Sequence, residues 1–257
     1  MRNIKLVIQY EGTAYHGMQS QPGGDTIQDF LERSIRKLTG EDCRITAAGR
    51  TDAGVHALAQ VVNFKTGSAM ETGIMKKGLN SLLPEDIRVL ACGEVPPGFD
   101  SRRSATGKIY SYRIFNGRDH DVFARRHTAL VRNKLDVPLM RKAAKHLIGR
   151  RDFSAFKASG GSGKSPVRTL RKITVSKSGQ VVEIRIEADA FLRYMVRNMA
   201  GSLIQVGLGK MTPSELAAAF RSGDRRRTGP TAPARGLFLE AVKYGKSRRR
   251  DASARRV

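Results

Sequence analysis

Residues 43–66 read CRITAAGRTDAGVHALAQVVNFKT. The flanks 43–48 and 60–66 read as strands, and Gly49-Arg50-Thr51-Asp52-Ala53-Gly54-Val55-His56 falls between them. Glycines on both sides of the Arg and Asp let another backbone come close or allow positive φ. Arg50 suits a phosphate contact. Asp52 does not, because a carboxylate repels phosphate. A lone acid in a basic, glycine-lined loop has two readings: an Asx turn that shapes the loop, or chemistry as a nucleophile or general base. His56, four residues on, is either a packed or capping residue or a ligand or base.

Outward from this loop the periodicity alternates between strand and helix. In 3–10, NIKLVIQY, residues Ile4, Leu6, Ile8 and Tyr10 share one face, a half-buried strand. Thr26 and Asp29 form a capping-box pattern ahead of IQDFLERSIRKL, with Asp in the usual Glu or Gln place. Ile27, Phe30, Leu31, Ile35 and Leu38 share a face of that helix, and Gly40 follows as a stop. A second helix is predicted at 71–82, closed by Pro84, and a strand at 87–95. Pro96-Pro97-Gly98 marks a break. Beyond it come a long strand at 105–115, a helix at 137–148, and strands at 168–177 and 180–188 forming a hairpin at Ser178-Gly179. A helix at 191–207, a short helix at 213–221 and a strand at 237–243 complete the pattern. The expected fold class is α+β: two α/β halves, 1–103 and 104–245, with mainly antiparallel sheets of ferredoxin-like or RRM-like elements flanked by helices. A basic tail spans 246–257.

Composition narrows the partner. The chain has 257 residues, with 47 Lys or Arg against 23 Asp or Glu, a net charge of +24. The tail carries a net +5, so +19 remains on the rest. Such an excess repels itself in a compact protein, and a polyanion relieves it. With no amphipathic anchor and no apolar run of the roughly 18 to 20 residues a membrane span needs, nucleic acid is the expected partner and a membrane is not. The N-terminus runs straight into a strand pattern, so no leader is expected. Two cysteines, Cys43 and Cys92, exclude a Cys-based zinc site and a disulfide scaffold and suggest a reducing cytoplasm. The five histidines form no close ligand pair in sequence, so no metal site is expected.

Three further features carry alternatives. The stretch Ser159 to Ser165 ends in Gly-Lys-Ser but fails as a P-loop: Ala158 stands six residues before the Lys, Pro166 follows, and no apolar strand precedes it. A basic loop (156–166) that touches phosphate is the better reading. Tyr110 and Tyr112, on one strand face with Ile114, either stack bases or belong to the core. In FLRYMVRN (191–198), Arg193 and Arg197 lie four apart on one predicted helix face. Apolar neighbours imply partial burial, so they need a partner, for which Asp52 is a candidate; the alternative is a solvated phosphate-binding face. Gly201 inside this helix costs about 1 kcal/mol against Ala, a hint of close packing.

Together, YEGTAYHGMQSQP, GRTDAGVHA, SATGKIYSYRI, FLRYMVRNMAGSL and ARGLFLEAVKY, in that order over residues 3 to 244, resemble the tRNA pseudouridine synthases of the A type. The resemblance implies the pseudouridine synthase fold and isomerisation of uridines in the anticodon stem-loop of tRNA. It implies Asp52 as nucleophile, Arg50 helping to extrude the target nucleotide, Tyr110 contacting the target base, Arg197 pairing with Asp52, and Leu237 packing in the active site. A bidentate Arg197 fork would fix the direction of the carboxylate. The resemblance also implies a homodimer whose clefts receive tRNA, and no cofactor. Members commonly carry Trp where this chain has Met18. Rival readings are a non-catalytic RNA-binding protein, which leaves Asp52 among arginines unexplained, and a methyltransferase or metal-dependent nuclease. Those last two lack, respectively, a good Gly-rich cofactor loop and clustered carboxylates.

Overall fold

The alternating strand at the N-terminus is β1 (Arg2–Tyr10), with Ile4, Leu6 and Ile8 fully buried and Tyr10 nearly so. It is followed by α1 (Ile27–Thr39), β2 (Thr46–Ala47), β3 (His56–Thr66), α2 (Thr72–Leu82) and β4 (Ile87–Val95). The second part contains β5 (Ala105–Asn116), β6 (Ala129–Val131), α3 (Val137–Lys145), β7 (Gly149–Asp152), β8 (Val167–Ser178), β9 (Val181–Ala188), α4 (Met195–Gly207), α5 (Pro213–Ser222) and β10 (Leu237–Tyr244). This computed structural model describes residues 1–158 and 165–245. Most of the Gly-rich loop and the whole tail expected from the sequence lie outside the described residues.

The class is α+β, as expected. The first part has the order β4-β1-β3 with β2 beside β3, every pairing antiparallel, which is the split βαβ arrangement of ferredoxin-like folds. The second part continues the same sheet as β10-β5-β9-β8-β7. The final strand joins them: β10 pairs in parallel with β3 (Phe238 with His56) and antiparallel with β5 (Leu237 with Tyr112).

Local sequence accounts for the helices. The Thr26 hydroxyl accepts from the Asp29 N–H, and the Asp29 carboxylate accepts from the Thr26 N–H, the reciprocal cap that starts α1. Ile27, Leu31 and Ile35 are buried, with Phe30 and Leu38 packed at the margin. On α4, Met195, Val196, Met199, Leu203 and Val206 all face inward. Burying each such side chain contributes roughly 1.5–3 kcal/mol.

Four boundaries differ from the sequence reading. The strand at 43–48 shrinks to Thr46–Ala47, because the Ile45 N–H is taken by the Glu32 carboxylate at 2.9 Å. The strand at 60–66 starts earlier, at His56, because β10 supplies a neighbour there. The helix at 137–148 stops at Lys145, and residues 146–148 turn into β7. The helix at 191–207 begins at Met195, because Tyr194 has a φ of 62°, the only positive φ among the described non-glycine residues. Arg193 is therefore not on the helix. The strands β6 and β7 were not anticipated.

Gly201 confirms the close packing inferred for α4. A Cβ there would lie 1.7 Å from the Pro230 carbonyl oxygen. The segment after α5 thus runs against bare helix backbone, and Ala232 N–H donates to Arg197 O at 3.1 Å. Gly201→Ala is expected to lower stability by at least about 2 kcal/mol despite the better helix propensity of Ala. An unchanged urea midpoint would contradict this account of the packing.

Candidate active site

The loop 49–55 is held from both sides. The Gln60 side-chain amide donates to Gly49 O at 2.8 Å, the Met18 N–H donates to Thr51 O at 3.1 Å, and the Tyr10 and Thr51 hydroxyls are 2.8 Å apart. Met18 is buried, and its backbone ties the loop to the start of α1, since Met18 O also accepts from the Gln28 N–H at 3.1 Å. Gly12 is required because a Cβ there would sit 2.0 Å from Val55 O. The loop turns on itself through Val55 N–H to Asp52 O at 3.2 Å.

His56 is a packed residue. Its Nδ1 accepts from Gly12 N–H at 3.0 Å, which places the proton on Nε2, donating to Arg235 O at 3.1 Å. The ring stacks on Phe238 with centroids 4.6 Å apart, and burial holds it neutral by pulling its pKa below the usual value. The fold also brings Glu11 and His127 to this ring, all three ligand atoms within 4.8 Å, a cluster that sequence spacing did not show. The His56 Nδ1 lone pair is already engaged by the Gly12 amide, so a metal would have to break that bond.

Asp52 accepts a hydrogen bond from Arg197 Nη1 at 3.2 Å, with their side chains 27% and 16% exposed. The contact is single, not the bidentate fork expected, because Arg197 Nε donates instead to Ala232 O at 2.8 Å. The Arg193 and Arg197 guanidinium groups lie 4.9 and 4.8 Å from the Tyr194 ring centroid. The strained backbone at Tyr194, costing of order 1–3 kcal/mol, thus holds a stacking ring beside both arginines. Burial raises the Asp52 carboxyl above its ordinary pKa, and the charges of Arg197 and Arg193 only partly offset it.

A cavity of about 850 Å³ opens over this pair, within the size range of small-molecule sites. Arg50, Asp52, Tyr110, Arg197 and Leu237 all line it. Arg50 is exposed. Tyr110 packs edge-to-face on Phe191 at 5.0 Å, and burial, with Tyr10 and Asp52 nearby, pushes its phenol upward in pKa. Tyr112 belongs to the core: it is fully buried and donates to Pro233 O at 2.9 Å.

The lining also includes Arg102, Lys108 and Arg168, which the sequence reading passed over, and Lys157, from the start of the basic loop it expected to touch phosphate. Lys108 had a legible signal, since it stands two residues before Tyr110 on one strand and so shares its face. Among the lining residues Asp52 is the single carboxylate against seven Lys or Arg. The opposite face of β5, β9 and β10 is charge-balanced, with Arg113–Glu183, Arg185–Glu240 and Lys243–Glu187 at 3.4, 2.6 and 2.6 Å. The cavity side of these strands, by contrast, adds to seven lining cations that face one carboxylate.

The family described as tRNA pseudouridine synthase matches residues 6–102 and 143–245. A tRNA pseudouridine synthase A of Acetivibrio thermocellus is 43% identical over 244 residues, 95% of this chain and 100% of that protein. One of Myxococcus xanthus is 45% identical over 245 residues, 95% of this chain and 92% of that protein. Among solved structures, a Cbf5–Nop10–Gar1 complex matches at 12% identity over 78% of this chain and 45% of that chain, with a TM-score of 0.32. The cavity thus belongs to an RNA-modifying isomerase. The chain belongs to the tRNA pseudouridine synthase family, whose members convert uridine to pseudouridine in tRNA.

Arg197 lowers the Asp52 pKa while burial raises it, so removing Arg197 leaves burial unopposed by its nearest charge. Asp52 is expected to titrate at higher pH in Arg197→Met than in the wild type, read from its ¹³C carboxyl shift. A downward or absent shift would show that Arg197 does not set its ionisation.

Proposed function

We propose that Asp52 is the nucleophile of a reaction that isomerises uridine to pseudouridine in the anticodon stem-loop of tRNA. The observation that carries this reading is the isolation of Asp52: one half-buried carboxylate, oriented by Arg197, in a cavity otherwise lined by cations. Phosphates are drawn to such a wall, and a carboxylate among them needs a chemical reason to be there.

The reaction detaches uracil from its ribose, turns it and rejoins it through carbon. Nothing is oxidised and no group is carried in. A stacked or paired uridine must first be flipped out, at a cost of a few kcal/mol. Arg50, exposed at the mouth, holds the backbone or fills the gap the base leaves. Tyr110 stacks on the flipped base. Burial favours its neutral phenol, and a later role as general base stays open to it. Leu237, at the start of β10, closes the apolar side of the cavity. Arg197 keeps Asp52 directed and favours its charged form. We read the protein as a cytoplasmic homodimer, a reading supported by the family resemblance.

The test uses tRNA carrying tritium at uridine C5, incubated without added metal or cofactor. Joining C5 to the sugar expels its hydrogen. Wild type is expected to release label from the anticodon stem-loop uridines, and Asp52→Ala to release none while still binding tRNA. Label released only from uridines elsewhere would defeat the stem-loop assignment, and release by Asp52→Ala would defeat the nucleophile.

Binding is expected to fall steeply with salt, because each phosphate neutralised releases counterions, with a log–log slope of about −0.7 to −0.9 per contact. Replacing one mouth arginine, Arg50 or Arg102, with Gln is expected to reduce that slope by about one. Salt-independent affinity would overturn the phosphate reading of the cavity wall.

A further inference from the structure

Lys108 is a half-buried cation of the cavity with no side-chain partner among the described residues, whereas Arg50 and Arg102, also unpaired there, are exposed to water. It lies on the central strand β5, opposite Ala188 of β9 and Val242 of β10, and projects to the same face as Tyr110. Its ammonium sits over the glycine that opens the catalytic loop: a Cβ at Gly49 would lie 3.3 Å from Lys108 Nζ and 3.6 Å from the Tyr110 hydroxyl. The two polar tips thus converge on one spot beside Asp52's loop. Among the described residues no carboxylate lies within 4.0 Å of the Lys108 ammonium, and it donates no hydrogen bond to protein. The charge that acts on it is a like one, Arg102, which together with the larger effect of burial pulls its pKa down to about 8.

A half-buried, unpaired ammonium is costly, and a cost of that kind at a functional cavity calls for an anion from the substrate. Two anions are available in a nucleotide: the phosphate and the base itself, once it is detached. Exposed Arg50 and Arg102 stand ready for phosphates. Lys108 lies deeper, beside the tyrosine on which the base stacks.

We propose that Lys108 is a catalytic residue whose ammonium contacts the flipped uracil and stabilises the negative charge that gathers on it when it leaves the ribose. This rests on the uridine isomerisation proposed above. The bond from ribose C1′ to uracil N1 breaks with both electrons passing to the ring, where the charge spreads over N1 and the carbonyl oxygens. The Asp52 carboxylate bonds to C1′ as N1 departs, and that bond breaks in turn, its electrons returning to the carboxylate, when C5 attacks. After the ring turns, C5 bonds to C1′, the C5 proton leaves, N1 takes up a proton, and no net charge or atom is gained. The ammonium is needed only between these bond changes, so it acts on the transition state more than on binding.

The experiment measures single-turnover tritium release at saturating tRNA, with tRNA Kd determined in parallel, for wild type, Lys108→Met and Lys108→Arg. Lys108→Met removes the charge at similar volume and is expected to slow release by about 10²–10³-fold, the range for losing one preorganised donor, with Kd within about threefold. Lys108→Arg is expected to recover at least tenfold of that loss. Lys108→Gln serves in place of Met should that variant not fold, judged by circular dichroism. A loss confined to Kd, with the saturating rate kept, would make Lys108 a phosphate contact and overturn the proposal. So would an unchanged rate, or an Arg variant no faster than the Met one. A wild type that releases no label defeats the isomerase reading itself, a separate outcome.

Discussion

One carboxylate held half out of water beside one guanidinium sets the demands on the rest of the molecule. Asp52 and Arg197 stand 145 residues apart in the chain and meet at 3.2 Å. Burial alone would leave Asp52 protonated over a wider range of pH, and a free Arg197 would stray. The structure answers with several independent constraints. Gln60, Met18 and Tyr10 hold the loop that carries Asp52. The Ala232 carbonyl and the Tyr194 ring hold Arg197. The bare backbone at Gly201 lets the segment that bears Ala232 come close enough to do so.

The final strand is what makes this meeting possible. β10 lies between β3 and β5, so this strand, far along the chain from both, joins the strand that follows the Asp52 loop to the strand that carries Tyr110 and Lys108. His56 reinforces that seam: its ring bonds the Gly12 and Arg235 loops and stacks on Phe238 of β10. The histidine four residues after the aspartate therefore acts on the site through packing. The charge distribution follows the same division. Acids on the far face of β5, β9 and β10 are paired across strands, while the cavity sets seven lining cations against one carboxylate.

Periodic and capped segments were legible because their signals are local. The α1 cap, its buried stripe and the β8–β9 hairpin follow from residues a few positions apart. Elements decided by distant partners were not. The strand at 43–48 lost its first residues to the Glu32 carboxylate, and β3 gained its first residues from β10. The helix containing Arg197 lost a turn at Tyr194, a left-handed residue that no propensity predicts. Within the site, Asp52, Arg50, Tyr110, Arg197 and Leu237 stood out through motifs and do line one cavity. Arg102 and Arg168 carried no motif, and Lys108, inside SATGKIYSYRI, and Lys157, inside the basic loop, were not singled out, since a lysine or arginine in so basic a chain looks like any other.

The sequence by itself determined the α+β class, the basic character and the family, because hydrophobic period, net charge and the GRTDAGVH loop are properties of neighbouring residues or of simple counts. It also marked Asp52 as an anomaly, an acid where phosphate is expected. Only the tertiary structure decided that Arg197 reaches that acid through one nitrogen, that Arg193 lies off the helix, that His56 packs, and that Lys108 faces the cavity unpaired. Those outcomes depend on which backbone carbonyls and rings arrive from far along the chain, and hydrogen-bond competition among them is settled only once the sheet has closed around β10.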